Sequence, residues 1–126
     1  MKRIILACFI LFAGISSSFA YNNGVGAFAM SADSQYGTTP ANVTQIVNIN
    51  ANCEIFYQTT WTRGAWGTST SSAYAYLKNG GSMVAYTTYD GTASGPSSST
   101  FTGYWGTMEL TISCGTNTIG LAELRW

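Results

Sequence analysis

The residues able to do chemistry in this chain are few. There is no histidine, so neither a Ser-His-Asp nor a Cys-His arrangement can be assembled. The acids are Asp33, Glu54, Asp90, Glu109 and Glu123. A pair of carboxylates could in principle serve a glycosidase. Glu109 and Glu123 fall on expected neighbouring strands, and Glu54 sits beside Cys53, but no local pattern marks an acid/base role. Gly103-Tyr104-Trp105-Gly106 is not a phosphate loop, because no helix with Lys-Ser/Thr follows it. No catalytic residue, no cofactor and no metal site is expected, and the chain reads as a non-enzyme.

What the chain does offer is aromatic rings among small polar residues. Trp66, Trp105, Tyr74, Tyr76 and Tyr89 lie among Asn, Ser, Thr and Gly. Aromatic faces stack on sugar rings while amides and hydroxyls supply hydrogen bonds. These five are the candidate ligand-binding residues, with a carbohydrate or a surface protein as the expected partner.

Charge is scarce. Charged residues make up 8% of the chain, against roughly 25% in ordinary soluble domains. With Lys2 and Arg3 set aside, three bases (Arg63, Lys78, Arg125) face five acids, a net charge of −2. A chain without a basic patch is not built for nucleic acid. Low charge also removes the repulsion that keeps proteins apart, so self-association as a surface or matrix subunit is the alternative reading.

Residues 1–20 read as a secretory signal peptide. Lys2 and Arg3 precede an apolar run from Ile4 to Ile15, and Ser18-Phe19-Ala20 fits the small-x-small cleavage rule. The run is short for a membrane span, and no second one follows. Residues 21–126 are then expected to be a single all-β domain without a transmembrane segment, secreted or periplasmic. In that setting Cys53 and Cys114 form an even pair and are expected to be disulfide-bonded. Closing a loop of about 60 residues would stabilise the fold by roughly 4 kcal/mol.

The elements that must position these residues are strands. Val25–Ser31, Val43–Asn50, Cys53–Trp61, Phe101–Trp105, Thr107–Cys114 and Ile119–Arg125 all carry β-type composition. Thr107–Cys114 alternates most cleanly, with Met108, Leu110, Ile112 and Cys114 on one side. Ala73–Tyr89 reads as a hairpin through Asn79-Gly80-Gly81. A turn at Asn79-Gly80, the stronger signal, places Tyr74 and Tyr76 with Met83, Ala85, Thr87 and Tyr89. A turn at Gly80-Gly81 places them with Val84 and Tyr86 instead. The first arrangement is expected. Its tyrosine face reads first as a wall of a thin core and second as a platform open to solvent.

Seven or eight short strands in about 106 residues indicate a small antiparallel β-sandwich, with a small β-barrel as the alternative. The Cys53…Cys114 spacing resembles that of an immunoglobulin-like inter-sheet bridge. Ile112 stands where a tyrosine corner would place its tyrosine, so the likeness is one of architecture.

Overall fold

Alternating apolar residues in β-branched and aromatic company produce strands throughout the described part of the chain. The computed structural model describes residues 21–31, 41–64, 72–91 and 96–126. The expected signal peptide, Trp66 and most of the loop before Ala41 lie outside these residues. Six strands form: β1 (Gly24–Met30), β2 (Asn42–Arg63), β3 (Ala73–Asn79), β4 (Ser82–Tyr89), β5 (Ser97–Ser113) and β6 (Thr118–Arg125). They make one antiparallel sheet in the order β1-β6-β2-β5-β3-β4. Among the described residues no helix is long and apolar enough to cross a membrane.

Among the described residues this count of six corrects the expected seven or eight. Val43–Asn50 and Cys53–Trp61 are one strand of 22 residues, and Phe101–Trp105 and Thr107–Cys114 are one strand of 17. The apparent break is a β-bulge. Asn48 pairs with Thr107 and Ala51 with Trp105, so Ile49 and Asn50 together oppose Gly106. Asn50 takes a positive φ of 50° to make the bend, a conformation Asn tolerates better than most side chains.

That bend folds the sheet over on itself. The first half of β2 runs with β5, β3 and β4; its second half runs with β6 and β1. In a flat sheet, Tyr57 on β2 and Thr87 on β4 would lie three strand spacings apart, about 14 Å. Instead Thr87 Oγ1 donates to Tyr57 Oη at 3.2 Å. The two halves therefore face each other, sandwich-like, with β2 and β5 passing through both. Strands that switch layers at bulges are a known way to turn such corners.

The space between the halves is filled by large side chains set against small ones. Ala27, Ala29 and Ala122 on one side and Ala73 and Ala75 on the other are buried. They leave room for Tyr57, Trp61, Tyr89, Leu110 and Ile112. Trp61 stacks on Tyr89 with ring centroids 5.7 Å apart and planes 1° apart. Its other neighbour is Gly120, where an added Cβ would lie 2.5 Å from the ring and 2.7 Å from Ile112 Cδ1.

The expected disulfide is corrected: Cys53 and Cys114 are both free thiols. Cys114 Sγ donates to the carbonyl of Ala29, which pairs across β6 to Gly120, itself opposite Trp61. Cys53 lies eight residues back along β2 from Trp61, about 26 Å of extended chain. A disulfide needs Cα atoms within about 7 Å. The immunoglobulin-like bridge falls with it, since β2 and β5 each serve both layers rather than one.

Two outcomes follow. Gly120→Ala should lower unfolding stability by about 3 kcal/mol through overpacking, read by denaturant unfolding. Gly26→Ala, whose Cβ would meet only ordinary contacts at 3.7 Å, should change stability by less than about 0.5 kcal/mol. Equal effects would remove the role assigned to the Gly120 floor. Alkylation under denaturing conditions without reductant should label both Cys53 and Cys114; labelling of neither would show the bridge instead.

Candidate functional site

The hairpin that carries three of the five expected site residues, Tyr74, Tyr76 and Tyr89, is built differently from expectation, and the difference decides which rings meet solvent. Gly80 and Gly81 form the turn, with φ of 55° and 90°. Asn79 is the last residue of β3 rather than a turn residue. Its side chain is used elsewhere: Oδ1 accepts the Gly106 N–H at 3.0 Å, and Nδ2 donates to the Tyr104 carbonyl at 3.3 Å. It thus holds β3 to β5 at the bulge.

A second bulge lies in β4. Lys78 pairs with Met83 but Leu77 pairs with Ala85, leaving Val84 as the extra residue. This one-residue insertion puts Tyr74 and Tyr76 on the face of Thr88 and Tyr86, not that of Thr87 and Tyr89. A register change of one residue exchanges faces because side chains alternate. The preferred assignment is therefore corrected, and so is the reading of Tyr74 and Tyr76 as a core wall.

The resulting outer face is a grid of three registered rows across β2, β5, β3 and β4. One row is Asn42, Ser113, Tyr74 and Thr88; the next is Thr44, Thr111, Tyr76 and Tyr86. The third is Ile46, Glu109, Lys78 and Met83. Its backbone spans about 14 Å by about 13 Å. Ile46 is 67% exposed, Met83 54%, Tyr86 58% and Tyr74 36%. The single acid and single base of the grid both attend Tyr76. Its hydroxyl donates to Glu109 Oε1 at 3.1 Å, and Lys78 Nζ sits 4.7 Å above its ring. Thr44 and Thr111 share a hydroxyl hydrogen bond of 2.8 Å.

The rings form a ladder. Tyr74 stacks on Tyr76 at 6.3 Å and on Tyr86 at 6.0 Å. Tyr74 thus packs against both rings of the neighbouring row, and Tyr76 contacts Tyr74 and Lys78. Tyr74 and Tyr86 leave part of the ladder open to solvent.

The other predicted site residues are dispersed. Trp105 is buried on the inner face, folded over Gly103, with Nε1 donating to the Cys53 carbonyl at 2.9 Å. Tyr89 is buried against Trp61. Neither is presented to a ligand. Trp66 lies outside the described residues. The residues missed are Tyr86, Ile46, Met83, Lys78, Glu109 and Tyr104, the last 66% exposed on the outer side of β5. Strand parity could have found Ile46 and Glu109; Tyr86 stood beside Tyr74 and Tyr76 only in the alternative with the turn at Gly80-Gly81, which is the turn found.

A groove of about 490 Å³ lies on the outer side of the other half, over β1 and β6. Gly24 and Gly26 form its floor beside Arg125 and Glu123, their register partners. Glu123 and Arg125 are buried and hydrogen-bonded to each other. Burial holds the Glu123 carboxyl above its usual range, while Arg125 acts in the opposite direction. The pair neutralises itself, and among the described residues no group of three or more His, Cys, Asp or Glu gathers as a metal site would require. Comparison with known proteins returns no matching family model and no similar curated protein.

Two of the buried acids outside the grid give a signature at high pH. Burial pushes the Cys114 thiol from 9.0 to about 11 and the Tyr57 hydroxyl from 10.0 to about 12. Both groups are neutral when protonated, and the unfolded chain loses these protons first. Their contribution to stability is therefore full below about pH 9 and is lost as pH rises toward 11 and 12. Thermal unfolding scans should show a level melting temperature up to pH 9 and a progressive fall above it, with a shallower fall between pH 9 and 11 in Cys114→Ala. A melting temperature that holds to pH 12 would contradict the burial of both groups.

Proposed function

We propose that the protein is an exported, non-catalytic binding module that docks a surface protein on the grid carried by β2, β5, β3 and β4. The observation that carries this reading is the exposed tyrosine ladder, Tyr76–Tyr74–Tyr86, standing on a sheet face whose only two charges are occupied with Tyr76. Tyrosine and methionine are enriched at protein interfaces, and charged residues are depleted from interface centres. Rings that already stack on one another lose little conformational freedom on binding. Export rests on the N-terminal sequence pattern, which supplies the setting in which such a face meets other surfaces.

The test is binding of the labelled protein to cells of the producing organism. Saturable binding should be lost after protease treatment of the cells and retained after periodate oxidation of their glycans. The Tyr74→Ser/Tyr86→Ser double variant should bind at least about tenfold more weakly with unchanged melting temperature. Loss after periodate alone would shift the assignment to a carbohydrate partner. Undiminished binding by the double variant would overturn the use of this face.

A further inference from the structure

Among the described residues, the tyrosine grid ends at a strand edge that is open. β5 pairs with β2 on one side along its length, but β6 reaches the other side only from Phe56 onward. From Asn42 to Ile55, no described strand pairs with that second side. Natural edge strands are normally guarded by Lys, Pro, inward charges or bulges. Residues 42–53 contain no charge and no proline, and the only bulge comes after Asn48. Among the described residues that leaves Asn42–Asn48 as an unguarded edge.

Its side chains are also left half covered. Val43, Val47 and Ile49 point inward but are only partly buried against the core. Ile46, on the outer side, is 67% exposed. Compared with this edge, β4 is broken by its own bulge at Val84, β1 contains two glycines, and the stretch Ser97–Gly106 of β5, paired with β2 alone, is interrupted by Gly103 and Gly106.

We propose that two copies of the chain join through the free edge of β2, antiparallel, across Asn42–Asn48. A row of unpaired backbone N–H and C=O groups is satisfied by another strand, which identifies the class of occupant. The chain itself fits that class. A neutral edge meets its own copy without repulsion. A two-fold axis perpendicular to the sheet at Gln45 sets odd residues opposite odd residues, so Val43 meets Val47 of the mate, Gln45 meets its own counterpart, and Ile46 on the outer side lies opposite Thr44. Such an isologous contact uses up the edge and closes at two copies. It also joins two grids on one side of a continuous eight-stranded face, β4-β3-β5-β2 with its two-fold mate. The proposal is independent of what docks on the tyrosine ladder.

The experiment is sedimentation velocity on the protein purified after export, over a wide concentration range. The wild type should show a monomer–dimer equilibrium. Ile46→Lys places like charges near the axis, at a position exposed enough to leave folding intact, and should weaken dimerisation by about tenfold or more. Met83→Lys on the β4 edge should leave it unchanged. A wild type that stays monomeric, oligomers that grow past two, or association sensitive to Met83→Lys and not to Ile46→Lys would each overturn the proposal.

Discussion

The ring of Trp61 must lie flat between Gly120 and Tyr89, and much of the fold is arranged to permit it. Trp61 belongs to the half of the sheet built with β6 and β1; Tyr89 belongs to the half built with β3 and β4. Their parallel stack is a contact between layers, reinforced nearby by the Thr87–Tyr57 hydrogen bond. Only a residue without a side chain can stand beneath the ring, since a Cβ at position 120 would come 2.5 Å from it. The alanines of β1, β3 and β6 extend the same logic. Small residues on these strands let the two layers approach, and the aromatic residues of β2 and β4 fill the gap between them.

Holding the layers together is possible because β2 and β5 bend rather than stop. The extra residue of β2 opposite Gly106 turns the sheet while the hydrogen-bond ladder resumes on either side. Asn79 secures the corner by bonding the backbone of both Gly106 and Tyr104. The same bend changes parity on β5, where Trp105 and Met108 both face inward. Trp105 is thus core for the same reason that the sheet can fold over.

Folding the sheet over leaves two outer faces of different character. Over β1 and β6, glycines beside a buried Glu123–Arg125 pair make a groove that is electrically closed. Over β3, β4 and β5, self-stacked tyrosines make a flat face with almost no charge. A domain with so few charges has little to oppose association, which makes the geometry of its open edges and faces decide what it touches.

Periodicity and turn chemistry by themselves determined the all-β class, the location of the hairpin near Gly80-Gly81, and the inward set Met108, Leu110 and Ile112. These depend on backbone preferences and on alternation within one strand, which are local properties. The tertiary structure decided the rest. It joined Val43–Asn50 to Cys53–Trp61, because a bulge reads in sequence like a turn. It separated Cys53 from Cys114, because long strands carry residues apart whatever their number invites. It brought out Tyr74 and Tyr86 while burying Tyr89 and Trp105, because a single inserted residue exchanges faces and nothing local to that residue records it. Which side of a strand meets water is fixed by what the opposite layer covers, and that is known only when the layers are in place.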